Sequence, residues 1–130
     1  GEWHVSGNHF IFNWSTGDFS SPDRVTLTRP GNSISADRIG GNEKRKTALL
    51  TGNVIVHDDR GSLTTFSSTG PPMPSTLTCD TLNVDGITKM YVAQGNVHFI
   101  QGGREAFADQ AIMNGLTHVL ELKGNVRLNS

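Results

Sequence analysis

The sequence predicts an all-β fold: an antiparallel meander of long strands that bend in their middles and curl into a roll. Three observations predict it. One cassette is written three times in fixed register, apolar residues alternate with polar ones through each copy, and turn residues recur about every dozen positions. Alternation at period two is the signature of a half-buried strand, and helical periodicity is nearly absent. An internal repeat at this spacing decides architecture before any single residue is read.

The cassette opens on a small residue and an aspartate: Ala36-Asp37, Cys79-Asp80 and Ala108-Asp109. Five positions after each Asp stands a turn residue, Asn42, Asp85 or Asn114. Sixteen positions after each Asp comes the Asn of Gly52-Asn53-Val54, Gly95-Asn96-Val97 or Gly124-Asn125-Val126. An eroded fourth copy opens the chain, with Gly7-Asn8 and later Pro22-Asp23.

Each element follows in order. The N-terminal stretch carries Trp3, Phe10, Phe12, Trp14 and Phe19, and reads as strands closing one end of the core. In copy one, Gly40-Gly41-Asn42 marks the turn. In copies two and three, Asp85-Gly86 and Asn114-Gly115 do so, since such pairs accept positive φ. A second turn set is Asp58-Asp59-Arg60-Gly61 and Gln101-Gly102-Gly103-Arg104. Two-residue turns join antiparallel strands and exclude parallel ones. A three-residue turn at Asp85-Gly86-Ile87 would place Cys79 opposite Ala93 and Leu77 opposite Gly95. Residues 61–75 form an insertion loop, because Pro71, Pro72 and Pro74 exclude a regular central strand. The whole of residues 1–130 reads as one domain.

Parity places the interior. Counting from each Asn, odd positions are apolar or Gly: Ala48, Leu50, Val54 and Val56; Tyr91, Ala93, Val97 and Phe99; Leu120, Leu122, Val126 and Leu128. Before each Asp, Ile34/Ala36, Leu77/Cys79 and Ala106/Ala108 continue this inward set. After it the apolar phase slips by one, to Ile39, Leu82 and Ala111, as a bulge or corner produces. Across each Gly-Asn the phase does not slip. The pair therefore lies inside one continuous strand, at a bend, and not at a hairpin tip.

Chemistry-bearing residues form no catalytic or metal constellation in the sequence. The repeated aspartates Asp37, Asp80 and Asp109, with Asp23 as a fourth candidate, lack the neighbouring acids of a calcium ladder. They read as corner residues bonded to local backbone N–H groups. Asp58-Asp59 reads as a solvated turn. The five histidines show no zinc spacing, and His57 and His98 fall on the outward face of neighbouring cassettes. No nucleophile has a visible base partner. Cys79 reads as buried packing between Ala36 and Ala108. A net charge of −1 leaves no basic footprint for nucleic acid, and no apolar run spans a membrane.

The segments ISADRIGGNEKRKTALLTGNVIVHD (34–58) and YVAQGNVHFIQGGREAFADQA (91–111), with DRVTLTRPG at 23–31, resemble the OstA-like domain of lipopolysaccharide-transport proteins. LptA, LptC and the N-terminal part of LptD share it. The resemblance runs from Val5 to Leu128. It departs at Cys79, where Ala is usual, and at the insertion. It implies an open antiparallel β-jellyroll of bent hairpins and a role in the periplasm, soluble or anchored by a segment outside this chain. It implies lipopolysaccharide, held by its lipid A acyl chains, as the cargo. Its implied partners are an inner-membrane ABC transporter complex, an LptD-like outer-membrane protein and further copies stacked head to tail. No cofactor is implied.

On this reading the lipid groove is lined by Ile34, Ala36, Leu50, Val54, Val56, Leu77, Cys79, Tyr91, Ala93, Val97, Phe99, Ala106, Ala108, Leu120, Leu122, Val126 and Leu128. The pairing edges are Phe10, Ile11 and Phe12 at one end and Val126, Arg127 and Leu128 at the other. Two other readings stand beside it: a purely structural or adhesive β-repeat, and a hydrolase or sugar-binding jellyroll. The missing constellation disfavours the last.

Overall fold

The computed structural model describes residues 3–59 and 73–129. These form twelve strands in one antiparallel sheet without a helix. They are β1 (His4–Gly7), β2 (Ile11–Phe12), β3 (Asp18–Ser21), β4 (Val25–Arg29), β5 (Asn32–Ala36) and β6 (Arg38–Asn42). Then come β7 (Thr47–Asp58), β8 (Ser75–Asp85), β9 (Met90–Gln101), β10 (Arg104–Asn114), β11 (Val119–Lys123) and β12 (Arg127–Asn129).

The strands assemble as eight bent ribbons in chain order: β1/β2, β3/β4, β5/β6, β7, β8, β9, β10 and β11/β12. Every ribbon pairs twice with the next, once on each side of its bend. The first half of β8, for example, pairs with the second halves of β7 and β9, and its second half with their first halves. Two half-sheets result. The first runs β1-β4-β5-β7-β8-β9-β10-β12, and the second runs β2-β3-β6-β7-β8-β9-β10-β11. This is the bent, curling meander that the repeat predicts and the open jellyroll of bent hairpins that the resemblance implies. At the eroded fourth copy the chain breaks pairing after Gly7 and again between Ser21 and Val25, and neither Gly7 nor Asn8 takes the positive φ of the other corners.

The bends have one local cause. Gly52, Gly95 and Gly124 sit at φ of 85°, 82° and 79°, and the Asn after each at 45°, 49° and 48°. Two consecutive left-handed residues turn a strand without ending it, and Gly and Asn are the residues that tolerate this. Each such strand gains one residue on its neighbour, between Thr51 and Val54 against Cys79 to Thr81, for instance. That extra residue is a bulge, and it sharpens the fold of the sheet.

The hairpins differ from expectation in length. Asp85 pairs with Met90, which leaves a four-residue loop, so Leu77 lies opposite Phe99 and Leu82 opposite Ala93. The expected pairs Cys79–Ala93 and Leu77–Gly95 do not form. The positive φ falls on Lys89 and His118, at 61° and 59°, not on Gly86 or Gly115. Those glycines serve close approach instead: a Cβ on Gly86 would stand 3.1 Å from the Lys46 carbonyl oxygen. Gly102-Gly103 makes the two-residue turn the sequence predicts. Most of the insertion, Gly61 to Pro72, lies outside the described residues; Ser75 already belongs to β8.

Candidate functional site: the apolar interior and its ends

The corner aspartates have a different partner from the one expected. Asn53, Asn96 and Asn125 each donate through Nδ2 to Oδ2 of Asp37, Asp80 and Asp109, at 2.9 Å in all three copies. The backbone N–H groups of Asp37 and Asp109 donate to the carbonyls of Gly52 and Gly124 at 2.8 Å. The sixteen-residue offset is therefore a bond between neighbouring ribbons. The glycine is required there, because a Cβ on Gly52, Gly95 or Gly124 would lie 2.5–2.7 Å from that carboxylate. In the first clasp Arg24 adds Nη1–H bonds to Asp37 at 2.8 Å and to the Asn53 carbonyl at 3.3 Å. The Asn53 amide, and then Arg24, hold the Asp37 carboxyl below the usual carboxylate range. Among the described residues no cluster of His, Cys, Asp and Glu is arranged to hold a metal.

With every ribbon bent along one line, the inward residues fall into rows across the strands. In the first half-sheet one row reads Val5–Leu27–Ile34–Val56–Leu77–Phe99–Ala106–Leu128. In the second, one row reads Phe12–Phe19–Gly41–Ala48–Val84–Tyr91–Met113–Leu120. Beside that lies Ser21–Ile39–Leu50–Leu82–Ala93–Ala111–Leu122. Alternation along each strand is what aligns them. Thirteen members of these rows, with Val25, Ala36, Val54, Cys79, Val97 and Ala108, form one buried cluster, and Trp3, Phe19, Ala48, Val84, Leu120 and Leu122 pack on it half-buried.

Of the residues predicted to line the interior, the thirteen from Ile34 to Ala108 are all buried. Leu120 and Leu122 are half-buried. Val126 and Leu128 are not buried, with Leu128 66% exposed, because β12 is the last strand of its half-sheet and nothing described covers it. Val25, Leu27, Ile39, Leu82, Ala111 and Met113 complete the interior. Of these, Val25, Leu27 and Met113 were missed as inward positions, though the alternations Val25-Thr26-Leu27 and Ala111-Ile112-Met113 carry the signal. Burial pushes the Tyr91 hydroxyl above its usual range and the Cys79 thiol up to about 12, while Cys79 Sγ donates to the Thr81 carbonyl at 3.2 Å.

The apolar rows are bordered on one side by a polar one. Asn32, Asp58, Ser75 and Gln101 stand opposite one another along the rim of the first half-sheet, and all are buried. Asp58 is only 1% exposed and accepts from Asn32 Nδ2 at 2.9 Å, so the solvated turn expected at Asp58-Asp59 holds for Asp59 alone. Gln101 Nε2 donates to the Met73 carbonyl at 3.2 Å. Sequence patterning gives such a row little signal, because its members occupy inward positions that differ from the others only in polarity.

His57 and His98 are not brought together. β8 lies between them, with Thr76 opposite His57 and Thr78 opposite His98. His57 bonds Thr76 and Asp59, at 3.0 and 2.7 Å. His98 bonds Glu105 at 2.6 Å and stacks on Phe107, with centroids 4.4 Å apart.

The predicted edges do stand at the ends of the sheet. Ile11 and Phe12 form β2, whose one strand partner is β3; Phe10 precedes it outside the strand. Arg127 and Leu128 lie in β12, whose one strand partner is β10, and Val126 leads into it. Both ends expose apolar side chains: Phe10, Ile11, Phe12, Val126 and Leu128.

A sheet creased along one line, closed by neither end strand and apolar between its halves, is an open β-jellyroll of the OstA-like kind. A family model described as lipopolysaccharide-assembly, LptC-related, matches residues 4–59. The crystal structure of LptH, the LptA-homologous periplasmic component of the lipopolysaccharide transport device of Pseudomonas aeruginosa, aligns with a TM-score of 0.82 at 7% identity. The alignment covers 99% of this chain and 94% of that one. No curated protein matches the chain. The family model thus covers the N-terminal 56 of 130 residues, and the likeness to LptH is one of fold. Among the described residues no helix is long and apolar enough to cross a membrane.

Proposed function

We propose that this domain is a periplasmic bridge component that carries lipopolysaccharide, taking the lipid A acyl chains between its two half-sheets. The observation that supports this most is the course of the apolar rows. They do not stop at the middle of the molecule but continue through Val5 and Phe12 at one end and Leu128 at the other. A core that served folding alone would change to polar residues at its margins. Rows that stay apolar to both ends suit a hydrocarbon chain passing along them, and the two end strands suit pairing with neighbouring OstA-like domains. Such pairing is heterologous and builds a chain of domains, not a closed dimer. The inner-membrane transporter complex and an LptD-like outer-membrane protein are the partners this reading places at the two ends.

Acyl transfer is strong enough to need no basic surface. A chain of ~12 carbons leaving water gains on the order of 10 kcal/mol at ~0.8 per CH₂. A surface ion pair to a lipid phosphate adds about 0–1 kcal/mol.

The competing reading, a purely structural β domain, draws on the tight closure of the middle of the interior, where Leu50, Val54, Ala93 and Phe99 are fully shielded from water. Photo-crosslinking separates the two. A crosslinking residue at Leu120 or Leu122 points inward, and one at Glu121 or Lys123 points outward from the same strand. Expressed in cells making lipopolysaccharide, the inward pair should give lipid adducts and the outward pair few. Adducts at neither pair, or equally at both, would sink the carrier reading.

A further inference from the structure

One rim of the second half-sheet is built from four hairpin turns of a single design. They span residues 13–17, 42–46, 85–89 and 114–118. In each, an Asn or Asp side chain caps the loop. Asn13 Oδ1 accepts from the N–H of Ser15 and Thr16, Asn42 Oδ1 from Arg45, Asp85 Oδ1 from Ile87 and Thr88, and Asn114 Oδ1 from Leu116 and Thr117. Each ends on a residue of positive φ: Gly17, Lys46, Lys89 and His118. Each is also tied to the one before. Glu43 N–H donates to the Gly17 carbonyl, Gly86 N–H to Lys46 and Gly115 N–H to Lys89, at 2.7–2.8 Å. The turns are thus a rigid rail. Successive hairpins are two strands apart, about 10 Å, so the rail is ~30 Å long.

Three of the four tips are large apolar side chains held out in solvent. Trp14 is 85% exposed, Ile87 67% and Leu116 68%. The fourth tip is Lys44-Arg45-Lys46, and Lys89 closes the third turn. Lys44 Nζ donates to the Ser15 carbonyl at 2.7 Å, which fixes that ammonium on the turn that carries Trp14. The acidic groups of the rim are engaged in holding the turns. Asp18 accepts from Asn42 and Thr16, Glu43 pairs with Lys46, and Asp85 caps its own loop. Of the described turns of the opposite rim, Pro30-Gly31 and Gly102-Gly103 carry no large apolar tip, and Met73, 47% exposed, lies beside Gly102.

We propose that this rail is a docking edge for the surface of an anionic lipid bilayer. Single apolar wedges about 10 Å apart, with cations between them, do not make the contiguous dry patch that a protein interface needs at its core. A fluid headgroup layer accepts separate wedges. Tryptophan favours that layer, and Lys and Arg favour its negative surface. The tips follow one another along one edge of the half-sheet, and a fluid headgroup layer yields to tips that the twist of the sheet sets at different heights.

The test uses the purified chain and vesicles of phosphatidylcholine, with or without one quarter phosphatidylglycerol. A Trp3→Phe background leaves Trp14 as the reporter. The chain should float with the anionic vesicles and not with the neutral ones, and Trp14 emission should shift to the blue. Arg45→Gln and Lys89→Asn should each weaken binding about fivefold; Asn at position 89 removes the charge while tolerating the positive φ. Trp14→Ser, Ile87→Ser and Leu116→Ser together should abolish binding with the far-ultraviolet circular dichroism unchanged. No flotation with anionic vesicles, or a triple variant that floats like the parent, overturns the proposal. The carrier reading is tested separately, since crosslinks at Leu122 report the interior and not the rim.

Discussion

Replacing Gly95 by alanine tests the corner clasp at its centre. The residue sits at φ 82°, and an added Cβ would stand 2.5 Å from Asp80 Oδ2 and 2.9 Å from Asp80 Cβ. Two penalties follow. Holding a non-glycine residue in the left-handed region costs about 1–2 kcal/mol. Moving the Asp80 side chain away breaks its bond from Asn96, for about 0.5–1 kcal/mol at an exposed site. The sum is ~1.5–3 kcal/mol, which in a domain of this size lowers the melting temperature by roughly 6–12 °C. Urea unfolding followed by tryptophan fluorescence measures it. Gly103→Ala is the control, because that glycine has open space around it and no positive φ, and its effect should stay within about 0.5 kcal/mol. Adding Asp80→Gly to Gly95→Ala relieves the clash and should recover part of the loss. A cost of Gly95→Ala below about 1 kcal/mol, or one equal to that of Gly103→Ala, would refute the clasp as the cause of the bend.

Three further outcomes are expected. Asn53 and Arg24 lower the Asp37 carboxyl, so its contribution to stability is present above its unfolded value and is lost as pH falls through the folded one; the urea midpoint of Asp37→Asn should therefore fall less than the parent's between neutral pH and strong acid. Cys79, buried and pushed up to about 12, should resist thiol reagents at pH 8 in the folded protein and react at once in urea; fast labelling of the native chain would show that the interior opens there. Phe99→Ala empties the largest fully buried site and should cost about 3–5 kcal/mol by urea unfolding, and a loss under 1 kcal/mol would mean the half-sheets re-pack freely.

The fold was legible because parity survives bending. Val54, Val56, Val97 and Phe99 keep one face through their strands, and the slip after Asp80 from Cys79 to Leu82 appears where β8 bends. The sixteen-residue offset was visible too, but its meaning was not: a constant spacing does not say that Asn96 bonds Asp80 across a ribbon boundary. The register failed for a physical reason. Asp85-Gly86 looks like a tight turn, whereas the residue that takes positive φ is Lys89, which no sequence rule marks. Asp58 was misread because its neighbour Asp59 and the following glycine look like solvent, and only the assembled sheet aligns it with Asn32 and Ser75.

On the carrier reading, a closed interior and an entering acyl chain have to be reconciled. The rows are sealed at Leu50 and Phe99 but exposed at Val5, Phe12 and Leu128, so a chain meets apolar surface first at an end. To advance it must part the half-sheets. Parting them exposes inward side chains, at roughly 25 cal/mol for each Å² of apolar surface left wet. A hydrocarbon chain that fills the gap replaces those contacts instead of leaving them to water, so most of the opening cost is cancelled as it arises. The crease is where such motion must turn, and it is lined by the Gly-Asn pairs of the three clasps.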